Sequence, residues 1–151
     1  MQVYENTKKN EPFNGEKIAQ LAVSIATEKK AFSPVILDIK SLGGCSDYFV
    51  IVSANNPRQV SAVAESIRSL FKKHLSLKPI QIDGLETSSW VLLDYGFLFI
   101  HIFLEETRTK YGLEELWAKG LHVPLEEDDS HLVLQSLVNQ SLAENLVSAN
   151  D

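Results

Sequence analysis

The chain is short of most residue groupings that build a chemical site, and each shortage narrows what it can be. It holds 151 residues and a single cysteine, Cys45, so no internal disulfide can form. A lone thiol suits a reducing compartment, with the cytosol as the default. No stretch approaches the roughly 18 apolar residues that span a bilayer, and Met1 to Asn10 lack an apolar signal core. That segment is also too poor in arginine for a transit peptide. A soluble, cytoplasmic protein with no membrane partner is expected. Positive charge is in deficit too: 14 Lys and Arg against 20 Asp and Glu give a net charge of −6. That balance disfavours unaided or sequence-specific nucleic-acid binding, which needs clustered cations, and favours a basic protein partner.

Catalytic and metal motifs are missing as well. His74, His101, His122 and His131 are scattered without zinc-site spacing. No G-x-S-x-G elbow occurs, and Cys45 has no neighbouring histidine to raise its thiolate fraction. Gly43-Gly44-Cys45-Ser46-Asp47 matches neither a P-loop nor a dinucleotide fingerprint and reads as a turn. Asp38, Asp47, Asp83 and Asp94 stand singly, with no Asp-x-Asp on a core strand to hold a divalent cation. No catalytic residue, metal ligand or cofactor is expected, and the chain is read as a non-enzyme. His101, inside an apolar run, reads as a satisfied core or edge histidine in preference to a general base.

What is present suits one compact domain. Hydrophobic residues make up 44% of the chain and charged residues 23%, close to the globular average. Asn14 can cap a helix whose Ile18, Leu21, Ala22 and Ile25 share one face and which ends near Lys30. Pro34 then breaks the pattern, and Val35 to Ile39 reads as a short strand. Tyr48 to Ala54 is apolar on both sides, as in a central strand. Asn56, Pro57 and Gln59 form a helix start ahead of the stripe Val60, Val63, Ala64, Ile67, Leu70 and Phe71. Pro79 to Asp83 reads as a strand and Gly84 to Ser89 as a loop.

The segment Trp90 to Trp117 is the most distinctive. With Tyr95-Gly96 as a two-residue hairpin turn, Asp94 lies opposite Phe97, Leu92 opposite Phe99, and Trp90 opposite His101. Trp90, Leu92 and Phe99 then share a sheet face with Asp94 at its end. Trp and Tyr are the usual anchors of protein interfaces, yet these aromatics could equally pack beneath a helix. Arg108, Tyr111, Glu114 and Trp117 carry the same ambiguity. Glu105-Glu106 suits a helix N-terminus and Gly112 interrupts it. Beyond, Pro124 and the run Glu126 to Asp129 read as an acidic linker. Leu134, Leu137, Val138, Leu142 and Leu146 follow at helical spacing, a stripe that docks on its own domain more often than it serves as a partner helix.

Asp47-Tyr48-Phe49-Val50-Ile51, Asn55-Asn56-Pro57-Arg58-Gln59-Val60, Trp90 to Gly96, His101-Ile102-Phe103, and Arg108 with Tyr111 to Trp117 together resemble the ribosomal silencing factor family, also called Iojap. The likeness runs from about Gly15 to Trp117. It implies an α/β fold: a single domain with a mixed sheet of about five strands flanked by helices, nucleotidyltransferase-like in shape but without the catalytic acids. The resulting division is a tail over 1–13, a silencing-factor domain over 14–120, and an acidic linker with an amphipathic helix over 121–151. The resemblance also implies that the chain binds the large ribosomal subunit through its L-fourteen family protein. There it would block the small subunit from joining and so repress translation when nutrients are scarce; homodimers are implied too. Carried onto this sequence, the contact residues would be Trp90, Leu92, Asp94, Tyr95, Phe99 and Arg108. Asp94 would meet a basic side chain, and Trp90, Leu92 and Tyr95 would supply apolar contact. The competing reading is a degenerate or active nucleotidyltransferase-like enzyme.

Overall fold

The computed structural model describes residues 14–44, 46–126, 135 and 137. Cys45, the tail before Asn14, and Leu134, Val138, Leu142 and Leu146 of the C-terminal stripe lie outside them. Six strands form one mixed sheet: β1 (Phe32–Asp38), β2 (Tyr48–Ala54), β3 (Gln81–Asp83), β4 (Trp90–Asp94), β5 (Leu98–Leu104) and β6 (Leu121–His122). Their spatial order is β3-β4-β5-β2-β1-β6. β2 and β5 run parallel, and the other described pairs are antiparallel. Every residue of β2 is buried, as its apolar run requires of a strand with neighbours on both sides and cover on both faces.

Two long helices cover one face. α1 (Gly15–Glu28) starts where the Asn14 side chain accepts from the Glu16 N–H at 2.9 Å. α2 (Pro57–Leu75) starts where Asn56 accepts from the Gln59 N–H at 2.9 Å, with Pro57 at its first position. The Gln59 side chain reaches back one residue further than a capping box demands, to the Asn55 N–H at 2.8 Å. Ile18, Leu21, Ile25, Val60, Val63, Ile67 and Phe71 meet Val50, Val52, Val91, Leu93, Ile100 and Ile102 in the main core. A smaller core on the opposite face holds Leu37, Ile39, Phe49, Ile51 and Phe103. α3 (Glu105–Tyr111) and α4 (Leu113–Leu116) follow β5, separated by Gly112 at φ +55.

Two boundaries differ from the sequence reading. β1 begins at Phe32, ahead of Pro34, because a bulge between Phe32 and Val35 takes the proline out of the ladder. β6 pairs only with Leu37 and Asp38, so this end of β1 is an edge where the missing N–H costs nothing. Past residue 120 the chain is also more than a linker. Leu121 and His122 add a strand, Val123 N–H bonds Ile36 O at 2.9 Å, and the buried Gln20 side chain donates to Pro124 O at 2.8 Å and accepts from Glu126 N–H at 3.1 Å. Leu137 lies fully buried in the main core, so this member of the stripe docks on its own domain.

Gly84 opens the loop into β4 at φ +90, and a Cβ there would sit 2.0 Å from the Trp90 carbonyl oxygen. Gly84→Ala is therefore expected to lower unfolding free energy by about 2 kcal/mol or more, through left-handed strain and displacement of the start of β4. Urea denaturation of the variant against the parent checks it.

Candidate functional site

Alternation along β4 divides the Trp90 to Tyr95 segment between two surfaces. Val91 and Leu93 are buried against the long helices, whereas Trp90, Leu92 and Asp94 point to the other face and stay partly exposed. The hairpin register differs from the one read in sequence. Trp90 pairs with Phe103, Leu92 with His101, and Asp94 with Phe99. Gly96 and Phe97 form the two-residue loop, since the Tyr95 N–H bonds Leu98 O at 2.9 Å. Gly96, at φ +84, takes the first loop position, where a primed turn needs positive φ, and its N–H bonds Asp94 Oδ1 at 2.8 Å. The shift is two residues, an even number, so the predicted sharing of one face by Trp90, Leu92, Phe99 and Asp94 survives it.

Tyr95 does not join that face. It is 6% exposed, its ring lies 5.2 Å from Phe71 under α2, and burial raises its phenol above the ordinary range, with nearby Arg68 opposing in part. The reason is parity: residue 95 follows 91 and 93 to the helix side. Arg108 is also interior. Its guanidinium donates to Glu114 Oε1 at 2.7 Å, Ser33 O at 2.7 Å and Ser53 Oγ at 2.8 Å, tying α3 to α4, the β1 bulge and β2. Both side chains are therefore buried in this chain, away from the open part of the face on which they were expected to make contact.

The remaining face is an aromatic pavement. Phe49 stacks on Phe99 at 5.6 Å and meets His101 and Trp117 edge-on at 4.8 and 5.2 Å. Trp90 packs on Phe103 at 4.8 Å and Tyr111 at 5.0 Å. Its indole N–H donates to His101 Nδ1 at 3.1 Å, which fixes the ring plane of Trp90. Trp117 is seated over Gly44, where a Cβ would lie 2.9 Å from the indole. Helices α3 and α4 thus roof one end through Tyr111 and Trp117. Leu92, Asp94 and Phe99 lie beyond that roof, half-buried.

Pairing with β3 adds two residues that sequence reasoning did not assign to this face. Gln81 lies opposite Asp94 and Asp83 opposite Leu92, and the Gln81 amide donates to Asp83 Oδ1 at 3.1 Å. Asp83 and Asp94 therefore border the apolar residues with two carboxylates. The signal was available only through the antiparallel register of a three-residue strand. Among the described residues, no three His, Cys, Asp or Glu side chains cluster to hold a metal ion.

Fold and face define a class: a small mixed α/β protein with one sheet surface roofed by helices and the other left partly open. Solved structures share the architecture. One from Chromobacterium violaceum superposes with a TM-score of 0.67 at 25% identity over 78% of this chain and 96% of that one. Another, from Bacillus halodurans, gives 0.65 at 32% identity over 74% and 100%. The family model for "Ribosomal silencing factor during starvation" matches residues 12–148. The chain belongs to the ribosomal silencing factor family. Ribosomal silencing factor RsfS of Halalkalibacterium halodurans is 32% identical over 75% of this chain and 96% of its own length, and that of Bacillus subtilis 30% over 69% and 87%. Mouse "Mitochondrial assembly of ribosomal large subunit protein 1" is 30% identical over 64% of this chain and 43% of its own.

Two outcomes follow from the geometry. Removing Arg108 strands Ser53 Oγ and the Ser33 carbonyl, so Arg108→Ala should cost about 2 to 3 kcal/mol of stability by urea unfolding. His101 is 4% exposed, and burial holds its imidazole down to about 3 from an ordinary 6.5. The unfolded chain thus takes up a proton below about 6.5 that the folded chain refuses. Its contribution is whole above that pH and is lost as pH falls, by roughly 1 kcal/mol per unit. His101→Gln keeps an acceptor for Trp90 without the titration, so its urea midpoint should fall less steeply between pH 7 and pH 4 than the parent's.

Proposed function

We propose that the chain binds the large ribosomal subunit through the L-fourteen family protein and, while bound, blocks the small subunit from joining. The observation that carries this reading is the half-open face of Trp90, Leu92 and Phe99 bordered by Asp83 and Asp94. Aromatic and aliphatic anchors on a rigid sheet lose little side-chain freedom on binding, and a rim of carboxylates steers a cationic partner into register. Family membership supports the choice of partner. Repression is then steric: the chain occupies a surface that the other subunit needs, and no bond is made or broken. Translation falls when nutrients are limiting, and the site of action is the cytoplasm, where subunits meet. Off the ribosome, a second copy of the chain would shield the same apolar residues from water.

Leu92 is the sharpest probe, because it sits in the open part of the face and makes no hydrogen bond through its side chain. Purified parent chain added to isolated subunits should shrink the joined-ribosome peak in a sucrose gradient. Leu92→Lys should restore that peak to near its untreated height while keeping the parent's circular dichroism. An undiminished peak at saturating parent chain would refute the reading. Metal-dependent consumption of a nucleotide by the pure protein would replace it with the enzymatic one.

A further inference from the structure

A groove of about 690 Å³ runs between the C-terminal half of α2 and β3, on the helix-covered side of the sheet. Arg68, Lys72, Lys73 and Lys78 line it with a single carboxylate, Glu65, in a chain whose overall charge is −6. All four cations are exposed. Arg68 is engaged, its guanidinium forked onto Glu65 Oε2 at 2.8 and 3.2 Å. Among the described residues, Lys72, Lys73 and Lys78 have no ion-pair partner. Helix electrostatics account for part of this set only. Lys72 and Lys73 stand in the last turn of α2, where the dipole favours cations, but Lys78 lies past the helix end and Arg68 a turn earlier.

We infer that this groove holds the phosphate backbone of an RNA strand. Three of its four cations are lysines, compact point charges that meet phosphate without the planar fork that arginine presents to carboxylate and phosphate alike. The one fork present is already occupied by Glu65. Counterion release rewards neutralised phosphates without demanding a fixed hydrogen-bond geometry, so flexible exposed lysines suffice. Ser69 offers a hydroxyl beside them, and Pro79 with Ile82 gives an apolar wall against which a sugar or base can lie. Contact of this kind is independent of base sequence, so the net negative charge of the chain limits its strength and leaves its location intact. The inference rests on the ribosome reading only for the source of the RNA, which on a ribosomal particle is abundant beside any bound protein.

Fluorescence anisotropy of a labelled single-stranded RNA 20-mer with the full chain, over a salt series, tests it. With about three phosphates neutralised, log affinity should fall against log salt with a slope of about −2. Lys72→Glu with Lys73→Glu should weaken binding at least tenfold and flatten that slope. Lys29→Glu with Lys119→Glu makes the same change in net charge elsewhere and should weaken binding by much less. Leu92→Lys should bind RNA like the parent even where it fails in the subunit gradient, which separates failure of the groove from failure of the aromatic face. No binding at low salt, equal loss in the two double variants, or equal affinity for a polyglutamate of matched charge would overturn the inference; the last would indicate an acidic protein as occupant.

Discussion

The parallel ladder between β2 and β5 is the constraint from which the rest of the molecule follows. It registers Tyr48 with Leu98 through to Ala54 with Leu104, and nearly every side chain on either strand is buried. Parallel neighbours cannot be joined by a tight turn. The intervening chain therefore has to leave the sheet, run back as α2 and return, and here it also lays down β3 and β4 beyond β5 before entering it. That detour brings Trp90, Leu92 and Asp94 alongside the aromatic residues of β5. Once β5 is locked to β2, the hairpin decides which β4 side chains look outward, and strand parity leaves no freedom to choose.

The helix caps, the α2 stripe and the buried β2 were legible in the residues because each rests on local rules: a cap accepts from an N–H two or three positions on, and a stripe repeats each turn. The hairpin was legible only to its parity. Tyr95-Gly96 and Gly96-Phe97 both place glycine in a two-residue loop, and local chemistry alone does not separate them; the first loop position of Gly96 does so only when its φ is known. Tyr95 lies on the helix-covered side by the same alternation that Val91 and Leu93 display, which interface propensity does not register. The interior place of Arg108 was illegible for a different reason. Its partners Ser33 and Ser53 are 75 and 55 residues away in sequence, and nothing local marks a guanidinium as an internal tie. Asp83 and Gln81 were overlooked since their place depends on how a three-residue strand pairs.

The two surfaces singled out above divide at β3. Gln81 and Asp83 look to the aromatic side, while Ile82 lines the basic groove and packs on the main core. A thin strip of backbone thus separates an acid-bordered apolar field from a lysine-lined channel. Opposite polarities on neighbouring surfaces fix how a rigid body approaches a partner of mixed composition, because only one orientation satisfies both. The hydrogen bond from Trp90 to His101 contributes at the level of rigidity: it orients the Trp90 indole within the aromatic field.

The brevity of the outermost strands has a consequence of its own. β3 is three residues long and β6 two, and the stretch of β1 left unpaired by β6 is kinked by a bulge and carries Pro34. Neither rim of the described sheet presents the long row of free amide groups that lets one molecule template the next. Blunted rims of this kind disfavour strand-to-strand addition between copies of the chain.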